Sequence, residues 1–296
     1  MVSSVQRVDR PQKHATFTRA LISENRSTII PQLSIASGSA VSLLTTRYSL
    51  LPMKTLSLLL LLLGSVAHLG ARETESFTQT YPLTANGRVN LENVNGSVEI
   101  IAWDQPSVKL EAVKTGPSKE DLEHIHLRID SEPDRLSVKT EYDRKTFLRS
   151  WQGEVRYTLH VPADANLERI SAVNAGLLIR DMHGPVQLKT VNGSIEATGL
   201  TGAGHFETVN GSMKIQYAGL TGIDELSLRT VNGGCSLTLP KSAAFTVNSS
   251  TVNGNVHAEG ELKIEKTSRG HFRAAAGSGG PVIAFHSVNG DLRIRE

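Results

Sequence analysis

The feature that most constrains this chain is a tripeptide that returns. Val-Asn-Gly occurs at 94–96, 191–193, 209–211, 231–233, 252–254 and 288–290, with Val-Asn-Ala at 173–175. Successive starts from 173 lie 18, 18, 22, 21 and 36 residues apart. A period near 20 marks a repeat architecture. The gap of 36 is close to two periods, so a degenerate repeat is expected around Ser268–Gly280. Thr precedes the tripeptide at Thr190, Thr208, Thr230 and Thr251, and Gly-Leu-Thr-Gly closes two repeats at 199–202 and 219–222. After each tripeptide the residues alternate. The second position is apolar (Val98, Ile195, Met213, Cys235, Val256, Leu292), the third mostly polar, and the fourth apolar again (Ile100, Ala197, Ile215, Leu237, Ala258, Ile294). Period-2 alternation is the signature of a strand with one buried face. Each repeat therefore reads strand, Asn-Gly turn, strand, Gly-rich turn.

Two all-β architectures fit. In an antiparallel meander each Asn-Gly closes a type I′ hairpin. In a parallel β-solenoid each repeat of roughly 18–22 residues is one rung, and like residues stack about 4.8 Å apart into ladders. The solenoid is favoured, because a meander needs alternation but has no reason to keep Thr-Val-Asn-Gly from repeat to repeat. The tripeptide's Asn is read as scaffold, bonding locally or to its stacked neighbour.

Residues 76–168 alternate with less repetition. Strands are expected at Val89–Ile101, Val108–Val113, Ile125–Ile129, Leu136–Tyr142 and Val155–Val161, with a short helical turn at Pro117–Glu123. This region is expected to be a sandwich-like cap shielding a sheet edge, and residues 169–296 the repeat domain. Gly-x-Val-x-Leu at 87–91, Gly-Ser-Val-Glu-Ile-Ile-Ala-Trp-Asp at 96–104, Tyr157-Thr-Leu-His-Val-Pro162 and the serial Val-Asn-Gly repeats together resemble the bacterial β-strand-repeat family labelled putative adhesin. The resemblance spans about 77–296. It implies a β-solenoid surface protein and adhesion by analogy, and it carries no catalytic residues over.

Residues 53–71 combine Lys54, six leucines (Leu58 to Leu63) and a small-residue tail, the pattern of a secretory signal peptide with cleavage after Ala67 or Ala71. The apolar run is short for a spanning helix, which needs about 20 residues. Retention of this segment would instead make a membrane-tethered envelope-stress or sensory component. Signal peptides begin at a start codon, so Met53 is read as the true start and residues 1–52 as a gene-model extension or a disordered leader. The expected location is secreted, periplasmic or cell-surface.

Charge is uneven. Residues 1–52 hold six Lys+Arg against two acids, while from Arg72 onward 24 basic residues face 27 acidic ones. That near-neutral balance excludes the basic stripe that nucleic-acid binding needs. The expected partner is a protein or carbohydrate at the envelope, with a membrane only if the signal segment stays. One cysteine, Cys235, excludes an intrachain disulfide and a Cys-based zinc site; it falls in an apolar column and reads as a packed thiol.

Chemistry is sparse. His124-x-His126 is a metal pair by spacing but reads as a polar face with no third ligand in place. There is no His-Glu-x-x-His, Gly-x-Ser-x-Gly or Gly-Lys-Ser/Thr motif. Gly277-Ser-Gly-Gly280 reads as a flexible loop. Trp103 and Trp151 could stack on sugars, yet the outward column (Glu196, Lys214, Ser236, His257) lacks the acid cluster of a polysaccharide-cleaving solenoid. The reading is a non-enzymatic adhesin or scaffold with no catalytic, cofactor or metal residues, and a polysaccharide-active enzyme as the remote alternative.

Overall fold

The structure, a computed structural model, describes residues 4–7, 72–143, 152–241, 243–259, 263–268 and 270–296. The signal segment, Trp151 and all of residues 1–52 except 4–7 lie outside the described residues. Ser4–Arg7 forms a short strand paired antiparallel to Ile125–Glu132.

Among the described residues the strands form two open sheets, of twelve and ten strands. Each Val-Asn-Gly is a corner between them. Val186–Asn192 lies in the larger sheet, and Ile195–Leu200, two residues later, lies in the smaller one. The same division recurs at Gly204–Asn210 with Met213–Tyr217, and at Glu225–Asn232 with Cys235–Thr238. Equivalent strands pair in parallel and in register: Asn192 with Asn210, Asn210 with Asn232, Asn232 with Asn289. The tripeptide closes no hairpin, so the meander is not the fold. The architecture is β-solenoid-like.

The alternation sends one set of side chains between the sheets. From the larger sheet, Leu188, Phe206, Leu228 and Phe285 stack in one buried column, while Ile195, Met213, Cys235 and Leu292 stack opposite from the smaller sheet. Thr190, Thr208, Thr230, Ser287 and Thr251 make a buried polar column next to the corner. Thr190 and Thr208 donate to the carbonyls of Ala175 and Gly193, the corner residues one rung away, at 2.9 and 3.0 Å. A buried hydroxyl gains from such a partner; further along the same column the Thr230, Ser287 and Thr251 hydroxyls are buried without one.

The corner glycines are fixed by close approach. A Cβ on Gly211 would lie 2.6 Å from the carbonyl carbon of Gly193 and closer still to its oxygen, and Gly233 stands in the same relation to Gly211. Stacked corners leave no room for a side chain there.

The first half joins the same sheets. Arg88–Asn95 pairs in parallel with Asn166–Asn174, setting Asn95 beside Asn174. At this rung Asn93 takes the place of the inward Thr. Its amide donates to Val155 O at 2.9 Å, and Thr140 donates to its Oδ1 at 3.0 Å. Strands at Ser107–Gly116, Ile125–Glu132, Arg135–Tyr142 and Glu154–Pro162 and the helix Lys119–Glu123 match the expected elements closely.

One expectation is corrected. The degenerate repeat around Ser268–Gly280 is not a rung. Lys263–Ser268 and His271–Ala276 form an antiparallel hairpin turned by Gly270 at φ +77°, and it pairs antiparallel to Phe245–Asn253. The rungs also do not stack in chain order. Val282–Asn289 inserts between Glu225–Asn232 and Phe245–Asn253, pairing in parallel with both. Gly277, Gly279 and Gly280, all at positive φ, turn the chain back toward that slot, and a Cβ on Gly280 would collide with the carbonyl of Ala244. The Gly277-Ser-Gly-Gly280 segment is an exposed turn that approaches its neighbours at Ala244.

Candidate functional site

Parallel in-register stacking converts each outward position of the repeat into a line of like residues along the solenoid. The corner asparagines form the first line. Asn253 Nδ2 donates to Asn289 Oδ1 at 2.9 Å, Asn289 to Asn232 at 2.8 Å, and Asn232 to Asn210 at 2.9 Å. Asn210 donates to Asn192, Asn192 to Asn174 and Asn174 to Asn95, each at 2.9 Å. All six bonds run in one direction, as an amide ladder does when each carboxamide has one donor and one acceptor committed along the stack.

Beside it, on the outer face of the larger sheet, runs a line of valines: Val94, Val173, Val191, Val209, Val231, Val288 and Val252. Four of them are large exposed hydrophobics, from Val231 at 38% to Val252 at 72% exposed. Scattered exposed apolar residues are ordinary, but a contiguous run is the mark of a contact surface. The sequence held this signal, since Val precedes every Asn, yet its position next to the corner hides whether it points in or out.

Two residues further from the corner is a third outward line: Glu92, Ser171, Lys189, Glu207, Arg229, His286 and Ser250, neighbours in consecutive strand registers. Lys189 Nζ pairs with Glu207 at 2.9 Å, and Arg169 reaches Glu92 at 3.8 Å. Small residues indent this face. A shallow groove of about 510 Å³ is lined by Glu168, Gln187, Gly204, His205, Ser227 and Arg229 among others. A second, of about 300 Å³, runs over Glu207, Val209, Arg229, Val231, His286 and Val288. The two meet at Arg229. Half-buried His205 lines the first; burial first, and then the nearby Arg229 guanidinium, hold its imidazole below its ordinary value.

On the smaller sheet, Lys214 pairs with Glu196 at 2.8 Å. Gly234 and Ser236 leave a depression of about 520 Å³ between Lys214 and Arg293. The outward residues Glu196, Lys214, Ser236 and His257 are mixed in sign, as expected.

The remaining candidates fall as follows. His124 Nδ1 and His126 Nε2 both meet Asp143, at 2.9 and 3.0 Å on its two oxygens. The bond to His124 in particular holds the Asp143 carboxyl below its usual range. The fold thus supplies a shared acidic partner that sequence spacing could not show, and the carboxylate sits between the rings as a hydrogen-bond acceptor. Among the described residues no group of three or more His, Cys, Asp or Glu is arranged to hold a metal. Trp103 is half-buried, donates to Ser107 O at 2.8 Å and stacks obliquely on His160, so it is tied to the smaller sheet. Cys235 is buried in its column and burial pushes its thiol up to about 12. Among the described residues no helix is long and apolar enough to cross a membrane.

Comparison with curated proteins finds no match. Among solved structures the chain is similar to a putative cell adhesion protein from Clostridium sporogenes, with 12% identity over 75% of this chain and 99% of that one and a TM-score of 0.48. It is also similar to a putative adhesin from Bacteroides fragilis (8% identity, 74% and 97% covered, TM-score 0.31). A putative lipid binding protein from Parabacteroides distasonis is similar as well (10% identity, 77% and 98% covered, TM-score 0.31). A family model also matches, and it covers the in-register rungs from Met182 almost to the last residue: residues 182–295 are similar to the Toastrack DUF4097 family.

Proposed function

We propose that this chain is an exported, non-enzymatic β-repeat protein of the cell envelope, an adhesin or scaffold that acts by surface contact through the outer face of the larger sheet. The observation that carries the reading is the valine line. A row of outward valines, exposed by 38–72% where they are most open, runs beside an amide ladder whose bonds are already satisfied. Exposing such a row to water is unfavourable, by about 25 cal/mol per Å² of apolar area, and a partner protein or carbohydrate that covers it recovers that energy. The ladder keeps the row straight and rigid, so little order must be gained on binding.

Two finer readings go with it. Register partners in consecutive rungs lie 18 residues apart at Val186 and Gly204 and 22 apart at Gly204 and Leu226, which supports a solenoid of roughly 18–22-residue repeats. Residues 76–168 act as its N-terminal cap, supported by antiparallel strands such as Glu73–Pro82 with Ser107–Gly116 at the end of the smaller sheet. Export rests on the Met53–Ala71 pattern; mass spectrometry of the mature N-terminus tests it, with a start near His68 or Arg72 expected.

The contact reading is tested by measuring binding of the purified chain to envelope fractions and to arrayed glycans. Val231→Asp with Val288→Asp is expected to reduce binding at least tenfold in a chain that still folds, its melting temperature lowered by a few degrees because the two carboxylates lie side by side on adjacent strands. Undiminished binding by the double variant would place the contact elsewhere.

A further inference from the structure

We infer that the outer face of the larger sheet docks a second copy of this chain, face to face and in opposite rung order, about a twofold axis passing between the Lys189 and Glu207 rungs. The inference rests on the contact reading for its choice of face and adds the partner.

The argument starts from symmetry. A twofold axis lying in the interface and along the strands reverses the order of rungs but keeps each outward line opposite itself. Valines then meet valines, and the charged line meets the charged line. What remains to be chosen is where along the stack the axis falls, and the charges decide it. Between the Lys189 and Glu207 rungs, Lys189 of each copy faces Glu207 of the other, twice. One rung outward, Arg229 faces the hydroxyl of Ser171. One further, His286 faces Glu92. No two fixed like charges oppose.

Neighbouring positions of the axis are worse. Centred on the Glu207 rung, Glu207 meets its own copy and Lys189 meets Arg229. Centred on the Lys189 rung, Lys189 meets itself. Moved on between Glu207 and Arg229, the acid–base pair at the centre survives and Glu92 meets His271 near the edge, but one rung from the axis Lys189 is set against His286, cation against imidazole. Like charges directly opposed are destabilising, opposite ones favourable.

In the favoured position Val191 packs on Val209, and Val173 on Val231. The latter two are 41% and 38% exposed in the single chain. Strand spacing makes seven rungs about 29 Å long, and the outward lines give a width of about 20 Å, so each copy contributes about 600 Å². Specific interfaces bury about 800 Å² per partner, so the dimer is a weak, concentration-dependent one, on the order of 10–100 μM.

The test is sedimentation velocity on four full-length chains: the natural one, Lys189→Glu, Glu207→Lys, and the double swap Lys189→Glu/Glu207→Lys. Lys189 is exposed and Glu207 half-buried, so melting curves are run on every chain to verify folding. Each single reversal places like charges across the axis twice and also breaks the pair within one chain. The natural chain is expected to dimerise, each single reversal to weaken the dimer at least tenfold, and the double swap to restore it to within about threefold. All four chains share the leucine run, so association through that segment would not follow this pattern. A natural chain that stays monomeric to about 300 μM overturns the inference, as does a dimer indifferent to the reversals or not restored by the swap. If the chain is monomeric while Val231→Asp with Val288→Asp still abolishes binding to envelope fractions or glycans, the second copy is wrong and the contact face stands.

Discussion

Gly233 and Gly234 are adjacent in sequence, yet only the first is held by a neighbouring backbone, and this contrast gives the sharpest stability test of the stacked-corner geometry. The cleanest perturbation compares Gly211→Ala with Gly234→Ala. At Gly211 a Cβ would lie 2.6 Å from the Gly193 carbonyl carbon, against backbone that cannot rotate away. Making room requires opening the rung spacing there. That stretches the Gly193 N–H bond to Asn210 O and the Ile195 N–H bond to Ser212 O, 3.1 and 3.0 Å long. Overpacking costs about 1–3 kcal/mol, and each hydrogen bond lost about 1 kcal/mol more. The total is about 3–5 kcal/mol, or roughly 6–20 °C in melting temperature for a folded region of this size. At Gly234 the nearest atom to a new Cβ is Asp291 O at 3.3 Å. That contact needs a shift of only a few tenths of an ångström. The loss of unfolded-chain freedom offsets it by about 0.4–1 kcal/mol, so the expected change is under about 3 °C. Differential scanning calorimetry of the two variants decides the matter. If they melt within about 2 °C of each other, or if Gly234→Ala is the more damaged, stacking does not require the corner glycines.

Three further outcomes follow from the same geometry. Asn210→Ala removes two ladder bonds and Asn253→Ala only one, so the first is expected to cost about 1–2 kcal/mol and the second about half that, read by urea unfolding; equal losses would mean the ladder is not a stabilising unit. Cys235 is expected to resist thiol reagents at neutral pH until the chain is denatured, since its thiol is buried and its deprotonation displaced to about 12; rapid labelling of folded protein would show that the smaller sheet opens there. His205 has a folded-state value below its unfolded one of about 6.5. Its contribution to stability is therefore whole above that pH and is lost as pH falls through the folded value, because the unfolded chain takes up the proton first. His205→Asn is expected to show a smaller drop in melting temperature between pH 7 and pH 5 than the natural chain, and an identical drop would assign the acid sensitivity to other groups.

Much of the fold was legible in the chain. Period-2 alternation gave the strands of both halves, and the identity of Thr-Val-Asn-Gly from repeat to repeat pointed to like stacking on like. The pairing of Asn192 with Asn210 and of Asn210 with Asn232 shows that stacking directly. Cys235 was assigned to a buried column from its place after the tripeptide, and it is there. The candidate surface was less legible. Its valines sit next to the corner, where alternation no longer says which way a side chain points.

What the sequence by itself determined is therefore local: which residues form strands, which face of each is buried, and that Asn and Gly recur at a place where backbones meet. Tertiary structure alone decided the order of the rungs. Because the rungs share one register, Val282–Asn289 fits any slot in the stack about equally well by pattern. It lies between Glu225–Asn232 and Phe245–Asn253 because the hairpin Lys263–Ala276 occupies the outer edge of the latter strand and the glycine turn brings the chain back. The same long-range packing set Asn95 beside Asn174, 79 residues away, and placed Asp143 between His124 and His126. Alternation fixes what a strand buries, but only the competition among interchangeable edges in the folded chain fixes which strand it lies against.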